Sequence, residues 1–309
     1  MNENGNVSGN KTKKRPVRAS AVVRIVIWSI VFLAVGDMLA SSLIVAGSEK
    51  NGMDLFTLFG GHAYVYQEAA SYRVGNAVID EAVDELSVSW LYGDVTVIPA
   101  EGDEITVTEE YGGDRDALRL RWRVEEGELT VKFCKSGFVG KDDAPRKDLT
   151  VAIPAALLEA MDEVEITSVS GNVTYTGNAD ELTLNTVEGD LTVTGDIGEL
   201  NVDAVDGRVI FRGGVRRGDF DCVSVGVTMY LDMAAELEFE QVDGDVALFL
   251  SEEIAGFSAD VSSLDSEIVT DGFEDVRRDG GAVRWGNGSL RIHMSGVRNK
   301  LEIKKITKC

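Results

Sequence analysis

The sequence predicts an all-β protein, a parallel β-helix or β-solenoid with coils of about 18 residues, preceded by one N-terminal transmembrane helix. Three observations predict it. A short apolar pattern returns at a nearly fixed period, alternating strands lie on both sides of that block, and a long apolar segment follows a basic N-terminus. The pattern and the strands define the body of the protein, and the apolar segment defines its anchor.

The repeated pattern is an apolar residue, three small or polar residues, an apolar residue, one polar residue and a further apolar residue. Its copies are 18, 18, 18, 19 and 22 positions apart and begin at Val169, Val187, Val205, Val223, Val242 and Leu264. Each period holds two strands that are too short to form a sheet alone, and each strand has one apolar face. Coils that stack on one another pair these strands and bury the apolar faces. The stacking predicts two inward columns, Val173, Leu191, Val209, Val227 and Val246, and Tyr175, Val193, Phe211, Met229 and Leu248.

Glycine occupies the corner between the two strands in most copies. A corner needs a positive φ or a close backbone approach, and both are least costly for glycine. Val225 and Ser266 replace it in two copies. The corner glycines predicted to be structural are Gly93, Gly171, Gly189, Gly207 and Gly244.

An antiparallel β-sandwich is the main alternative, because it also has short strands and frequent turns. A sandwich does not require a constant offset of 18 positions between equivalent residues. The constant offset therefore favours the solenoid.

The body extends beyond the regular block. The pattern has an early copy at 91–97 and a late one at 297–303, and lysines follow the late copy, as expected where a stack is capped against further pairing. The resulting division is a basic cytoplasmic leader (1–24), a transmembrane helix (25–47), a juxtamembrane linker (48–82) and the β-solenoid (83–309), with its most regular coils at 164–270 and its C-terminal cap at 284–309.

The apolar segment 25–47 is long enough to cross a bilayer as a helix. A cleaved signal peptide is the alternative, but the basic leader is long for one and no clear cleavage site follows. Short basic flanks stay in the cytoplasm, so 48–309 is expected outside the cell membrane, in a single-pass protein. Asp37, inside the span, is costly in lipid. It is expected either to contact a partner helix or to be hydrated near a thinned interface.

The charge is unevenly distributed along the chain. Residues 1–46 carry six Lys or Arg against Glu3 and Asp37, which leaves 24 basic and 51 acidic residues, a charge of −27, in 47–309. Such a surface repels phosphate backbones, so nucleic acid is not expected as a partner. The acidic charge favours solubility or contact with cations and basic polymers.

The sequence contains no recognisable catalytic, cofactor or metal motif. His62 falls in the linker and His293 in an alternating strand, where its side chain should point outward. Cys134, Cys222 and Cys309 have no spacing typical of a metal site or a disulfide framework. We therefore predict no enzyme activity, no catalytic, cofactor-binding or metal residues, and no cofactor.

Polar residues on the outside of the coils are candidates for binding. Thr174, Asn185, Thr192 and Asp203 are expected to form a shallow polar face for a polysaccharide or peptidoglycan. A second candidate is a basic cluster, although surface salt bridges explain it as well; its members are Arg212, Arg216 and Arg217. A third is an acidic corner stripe for Ca²⁺, although turns favour Asp in any β protein; its members are Glu188, Asp190, Asp206, Asp243, Asp245, Asp265 and Glu267.

Several segments resemble a known bacterial family. They are 87–95 (Ser-Val-Ser-Trp-Leu-Tyr-Gly-Asp-Val), 133–137, 147–154 and 285–289, together with the repeated V-x-G-[DN]-[VL]-x-[VI] corners. With the basic leader and the single anchor, they are similar to the bacterial putative-adhesin family of β-strand repeats, known as domain of unknown function 4097, over about residues 80–305. The resemblance implies a β-helix-like domain held outside the cytoplasmic membrane, in an envelope-stress or surface-adhesion setting. The family has no agreed catalytic residues.

The expected function is a non-enzymatic binding, adhesin-like or scaffold module anchored at the bacterial cell envelope. Its expected partners are the cytoplasmic membrane and a cell-wall glycan or an envelope protein. An alternative is an envelope-stress sensor or regulator that contacts a membrane signalling protein through Asp37 and the basic leader. A carbohydrate-active β-helix enzyme is a third alternative.

Overall fold

The computed structural model of the protein describes residues 64–137 and 144–306. The predicted leader, the predicted transmembrane helix with Asp37 and residues 48–63 of the predicted linker, including His62, lie outside these ranges. Within the described ranges, no helix is long and apolar enough to cross a membrane.

Strands make up most of the described chain, which confirms the predicted all-β class. Its helical segments are a 3₁₀ turn at Asp116–Leu118 and one α-helical turn, α1, at Ala155–Leu158. The strands are β1 (Arg73–Val74), β2 (Ala77–Ile79), β3 (Glu85–Tyr92), β4 (Val95–Ala100), β5 (Ile105–Glu110), β6 (Arg121–Glu125), β7 (Glu128–Lys132), β8 (Asp148–Pro154), β9 (Glu163–Ser170), β10 (Val173–Thr176), β11 (Ala179–Glu188), β12 (Leu191–Thr194), β13 (Ile197–Leu250), β14 (Gly256–Asp271), β15 (Arg277–Asp279), β16 (Ala282–Gly286) and β17 (Leu290–Lys305).

Successive periods of the repeat lie side by side in parallel register. β10 pairs with β12 so that Val173 is opposite Leu191, and β12 pairs with β13 so that Leu191 is opposite Val209. β11 and β13 show the same offset, with Leu182 opposite Leu200. In this part of the chain, each residue therefore lies beside its equivalent 18 positions later.

The core is built from the columns that the repeat predicts. Val173, Leu191 and Val209 are at most 2% exposed, and Tyr175 and Phe211 are fully buried. Burial of apolar area stabilises a fold by about 25 cal/mol per Å². The stacked columns therefore supply the main driving force for folding in this part of the chain.

Antiparallel strands close the N-terminal end. β5 pairs antiparallel with β8, and both β7 and β1 pair antiparallel with β6. The early copy of the pattern belongs to the parallel part, because Val95 lies opposite Val173. The parallel pairing continues beyond this copy, from β4 to β8 and from β3 to β7, and the antiparallel strands cover the edges beyond β8 and β7.

The C-terminal strand lies inside the sheet, which corrects its expected place at the outer end. β17 pairs in parallel with residues 236–250 of β13 on one side and with β14 on the other. Charge explains this order, because Arg298 on β17 is opposite Asp243 on one side and Asp265 on the other. Direct pairing of the two acidic strands would bring like charges together. The outer strand of this end is therefore β14, followed by the hairpin of β15 and β16.

Candidate functional site

The corner glycines lie against the backbone of the neighbouring repeat. Gly171, Gly189 and Gly207 have φ values of 143°, 149° and 145°, a region that other residues rarely adopt. A Cβ atom on Gly189 would stand 2.0 Å from the carbonyl oxygen of Gly171. Gly93 also has a positive φ, 121°, and a Cβ on Gly244 would stand 2.1 Å from a carbonyl oxygen of the coil before it. These glycines have a structural role, because any side chain would separate the paired repeats.

Polar corner residues join one coil to the next. The backbone N–H of Asn172 donates to Oδ1 of Asp94 at 2.9 Å, and the N–H of Asp190 donates to Oδ1 of Asn172 at 3.0 Å. Arg208 pairs with Asp190 at 2.5 Å, and its hydrogen bond lowers the pKa of the Asp190 carboxyl group. The corner carboxylate considered for Ca²⁺ therefore already has a protein partner. Within the described ranges, no group of three or more His, Cys, Asp or Glu is placed to hold a metal ion.

The four residues predicted to share one polar face lie on two different parts of the coil. Thr174 and Thr192 are neighbours on β10 and β12, whereas Asn185 and Asp203 are neighbours on β11 and β13. The prediction of a single polar face is therefore wrong, since the corner separates the two pairs. Each pair belongs to a surface with its own chemistry.

The first surface is an uncharged row of hydroxyls, which we define as the threonine face: Thr150, Thr96, Thr174 and Thr192. Parallel pairing places Thr150 beside Thr96, Thr96 beside Thr174, and Thr174 beside Thr192. All four side chains are partly exposed. Ile210 continues the row on the next strand without adding charge. The row is thus an uncharged strip on a body whose charge is −27.

The second surface carries five glutamates in register, which we define as the glutamate column: Glu128, Glu85, Glu163, Glu181 and Glu199. Neighbouring strands are about 4.8 Å apart, so the carboxylates repeat at roughly that distance. Like charges directly opposite one another destabilise a sheet. The column therefore reduces stability, and it repels anionic ligands.

Aromatic and basic side chains stack on one another beyond the end of the threonine face. Arg212, opposite Thr194, lies 3.9 Å from the centre of the Tyr230 ring. The rings of Tyr230 and Phe249 stack at 4.7 Å with an interplanar angle of 11°, and Lys304 lies 5.6 Å from the Phe249 ring. Neighbours occupy the ring faces, so this stack offers ring edges to a ligand.

A cavity of about 670 Å³ lies where the corners of several coils meet. Arg216 lines it, and the guanidinium occupies space that a Cβ on Gly198 would need. The three arginines therefore have different surroundings. Arg216 lines the cavity, Arg212 stacks on an aromatic ring, and Arg217 is close enough to Asp219 for its charge to act on that carboxyl group. The basic cluster suggested by the sequence is divided among three environments. The other polar residues that line the cavity are Glu159, Asp162, Asn178, Asp180 and Asp196.

The sequence did not predict a buried ion pair near the N-terminal end. The Nζ of Lys147 donates to Oε2 of Glu109 at 2.5 Å and to the carbonyl oxygens of Leu118 and Phe133 at 2.6 and 2.5 Å. Burial lowers the pKa of Lys147. The indole of Trp90 donates to the Lys147 carbonyl oxygen at 2.8 Å. All three ammonium donors have acceptors and both charged side chains are enclosed, so the pair is structural.

A second buried lysine contacts a serine. The Nζ of Lys132 donates to Oγ of Ser89 at 2.9 Å, and burial lowers the pKa of Lys132 to about 8. Burial also raises the pKa of the nearby Glu165 carboxyl group. Ser89 is only 4% exposed, so the pair contacts the interior and not a substrate.

His293 points outward, as predicted. It is exposed between Ile292 and Met294, which are both buried. Its strand neighbours are Glu238 and Asp260. The histidine therefore belongs to an exposed strand surface.

No family model and no curated protein matches the chain. Among solved structures, it is similar to a putative adhesin from Bacteroides fragilis NCTC 9343, with 13% identity, a TM-score of 0.40, and 76% of this chain and 97% of that chain covered. It is also similar to a putative adhesin from Parabacteroides merdae ATCC 43184, with 12% identity, a TM-score of 0.39 and the same coverage. A putative cell adhesion protein from Clostridium sporogenes ATCC 15579 shows 11% identity and a TM-score of 0.33, with 76% and 100% covered. Identity and TM-score are both low, so function is inferred from this chain's own surfaces.

Proposed function

We propose that the chain is a non-enzymatic, adhesin-like β-solenoid module of the bacterial cell envelope, and that the threonine face is its binding surface. The observation that carries the proposal is the row of four in-register threonines on a body of charge −27. Other surfaces, such as the glutamate column, repel anions. An uncharged, hydroxyl-rich polymer meets no such repulsion at the threonine face.

The ligand that suits this face is a neutral cell-wall glycan. A threonine hydroxyl donates one hydrogen bond and accepts two, which matches the hydroxyl groups of a sugar. The spacing of about 4.8 Å along the row suits a ligand with repeating units. Arg212 and the edges of Tyr230 and Phe249 add a partly apolar border beyond the row.

The proposed setting is the outer side of the cytoplasmic membrane, with 25–47 as a single-pass anchor and the N-terminus in the cytoplasm. The alternative role, a sensor or regulator of an envelope or membrane signalling protein, depends on Asp37. Recovery of a membrane partner by the full chain, but not by an Asp37→Leu variant, would favour that alternative.

The binding proposal is tested by sedimentation of the full chain, in detergent micelles, with insoluble bacterial cell wall. The test variant is Thr174→Lys/Thr192→Lys, which places two cations in the row. The matched control is Thr183→Lys, because Thr183 is also partly exposed but lies on β11, next to Glu165 and Asn201. We expect saturable binding by the natural chain and the control. Binding should be about tenfold weaker for the test variant, because each substitution removes a hydroxyl that hydrogen-bonds to the sugar.

Two results would overturn the proposal. One is equal binding by the test variant and the natural chain, and the other is absence of saturable binding by the natural chain. Release of soluble sugar fragments during the same incubation would contradict the non-enzymatic role and favour the carbohydrate-active alternative.

A further inference from the structure

The outer edge of β14 is paired along only part of its length. Its inner edge pairs with β17 from Phe257 to Asp271, whereas β16 covers the outer edge only at 256–260. In the part of the chain that the structure describes, no strand pairs with the outer edge of 262–271. Arg278 instead donates to the carbonyl oxygen of Ile268 at 3.0 Å and to Oγ1 of Thr270 at 2.9 Å. A single side chain thus occupies part of an edge that a strand could fill.

An apolar column of the sheet is uncovered at the same edge. The paired residues on either side place Leu264 level with Val297, and Val297 level with Val242. Val242 and Val297 are 9% and 8% exposed, whereas Leu264 is 60% exposed. One more strand beside β14 would bury Leu264 as β17 buries its own neighbours.

The charges show which strand fits this edge. Toward β17, Asp265 is opposite Arg298 and Glu267 is opposite Lys300. Both carboxylates belong to an exposed part of β14, and no strand of the described residues pairs with its outer side at these two positions. β17 therefore shows which kind of strand pairs with β14. It has basic and apolar residues in the order Val297-Arg-Asn-Lys-Leu301.

We propose that the outer edge at 262–271 is a docking site for an extended basic segment of a partner protein, added as a parallel strand. Backbone hydrogen bonds along the edge supply affinity, as in other cases of strand addition. Specificity comes from an apolar side chain over Leu264 and basic side chains beside Asp265 and Glu267. Arg278 leaves the Ile268 carbonyl oxygen when the strand binds. This site is separate from the threonine face and does not depend on the glycan-binding role.

The test uses the full chain and a fluorescent synthetic peptide with the sequence of residues 295–305, followed by fluorescence anisotropy. The control peptide carries Arg298→Glu and Lys300→Glu. The protein variant is Asp265→Lys/Glu267→Lys, and its matched control is Glu181→Lys/Glu199→Lys, which makes the same charge change in the glutamate column. We expect the natural chain to bind the first peptide saturably and not to bind the control peptide. The affinity for the first peptide should be about tenfold weaker in the Asp265→Lys/Glu267→Lys variant and unchanged in the matched control.

Hydrogen exchange distinguishes addition from replacement of β17. If the peptide adds to the outer edge of β14, the amides of 262–270 gain protection from exchange. Those of 290–305 keep the protection that they have without the peptide. The proposal is overturned if the peptide does not bind, if both protein variants weaken binding equally, or if binding exposes the amides of 290–305. Failure of this test leaves the cell-wall result unaffected, since that experiment reports on a different surface.

Discussion

A corner glycine is expected to tolerate no side chain. At Gly189, alanine combines a φ of 149° with a Cβ placed 2.0 Å from the Gly171 carbonyl oxygen. We expect Gly189→Ala to lower the free energy of unfolding by about 2–4 kcal/mol, measured by urea denaturation. Gly226→Ala is the matched control, because a Cβ at Gly226 meets no atom within 4 Å. A control as unstable as Gly189→Ala would refute the role assigned to the close contact.

The buried ion pair of Lys147 and Glu109 should fail when one partner is removed. Lys147→Met leaves the Glu109 carboxylate, 2% exposed, without its buried cation. The expected loss of unfolding free energy is about 3–5 kcal/mol in urea denaturation. Arg119→Met is the control, since Arg119 is 4.0 Å from Glu109 and half exposed, and should cost less than about 1 kcal/mol. The double variant Lys147→Met/Glu109→Gln should recover part of the loss, and no recovery would argue against an unpaired charge as its cause.

Buried thiols should make the fold sensitive to alkaline pH. Burial raises the pKa of Cys134 and of Cys222 from 9.0 to about 12. Between these values the folded state keeps protons that the unfolded chain loses, so stability falls as pH rises, by about 1.4 kcal/mol per pH unit for each thiol. Lys132 acts in the opposite direction between its lowered pKa of about 8 and the ordinary 10.5. The slope of the free energy of unfolding against pH, measured from pH 8 to 11, should be smaller in Cys222→Ala by the contribution of one thiol. An unchanged slope would contradict the raised pKa of Cys222.

At the scale of elements, β17 is expected to hold the C-terminal end together. Its side chains Leu290, Ile292 and Leu301 are at most 1% exposed, and its removal brings the acidic residues of β13 and β14 into contact. A chain that ends at Ser289 should therefore lose amide protection throughout 236–271 in hydrogen exchange. A chain that ends at Ile306 keeps β17 and is the control. Retained protection in the shorter chain would show that β14 stacks on β13 without the inserted strand.

The period of the repeat was predictable from sequence, whereas the order of its last copies was not. Val173, Leu191 and Val209 share one pattern at one offset, so their adjacency follows from the pattern alone. The copies at 242–248, 264–270 and 297–303 also share it, and apolar positions do not specify which lies in the middle. Opposite charges on neighbouring strands decide that order. The pair of Lys147 and Glu109 was missed because its contacts come from segments far apart in sequence.

At the scale of the whole molecule, the repeat separates two kinds of surface. The corner places every threonine of the threonine face on one strand of its coil and every glutamate of the glutamate column on the other. A repeat thereby multiplies one polar position into a row, since each coil adds one equivalent side chain. The same mechanism produces the proposed binding strip from threonine and the expected stability cost from glutamate.

That cost predicts a response to salt. Carboxylates spaced about 4.8 Å apart repel one another, and the Debye length falls from about 30 Å at 0.01 M to about 10 Å at 0.1 M salt. The free energy of unfolding should therefore rise with NaCl. Glu181→Gln/Glu199→Gln should be more stable than the natural chain by about 0.5–1 kcal/mol at low salt and should respond less to added salt. Gln at 181 still accepts the hydrogen bond that Asn201 donates.

The control for this experiment is Glu101→Gln/Asp103→Asn, which removes the same charge from an exposed turn outside the glutamate column. Because these residues do not belong to an in-register row, we expect the control to gain less stability and to keep more of the salt dependence. Urea denaturation at several NaCl concentrations measures both quantities. Equal gains in the two double variants would mean that total charge, and not the spacing imposed by the coil, sets the electrostatic cost.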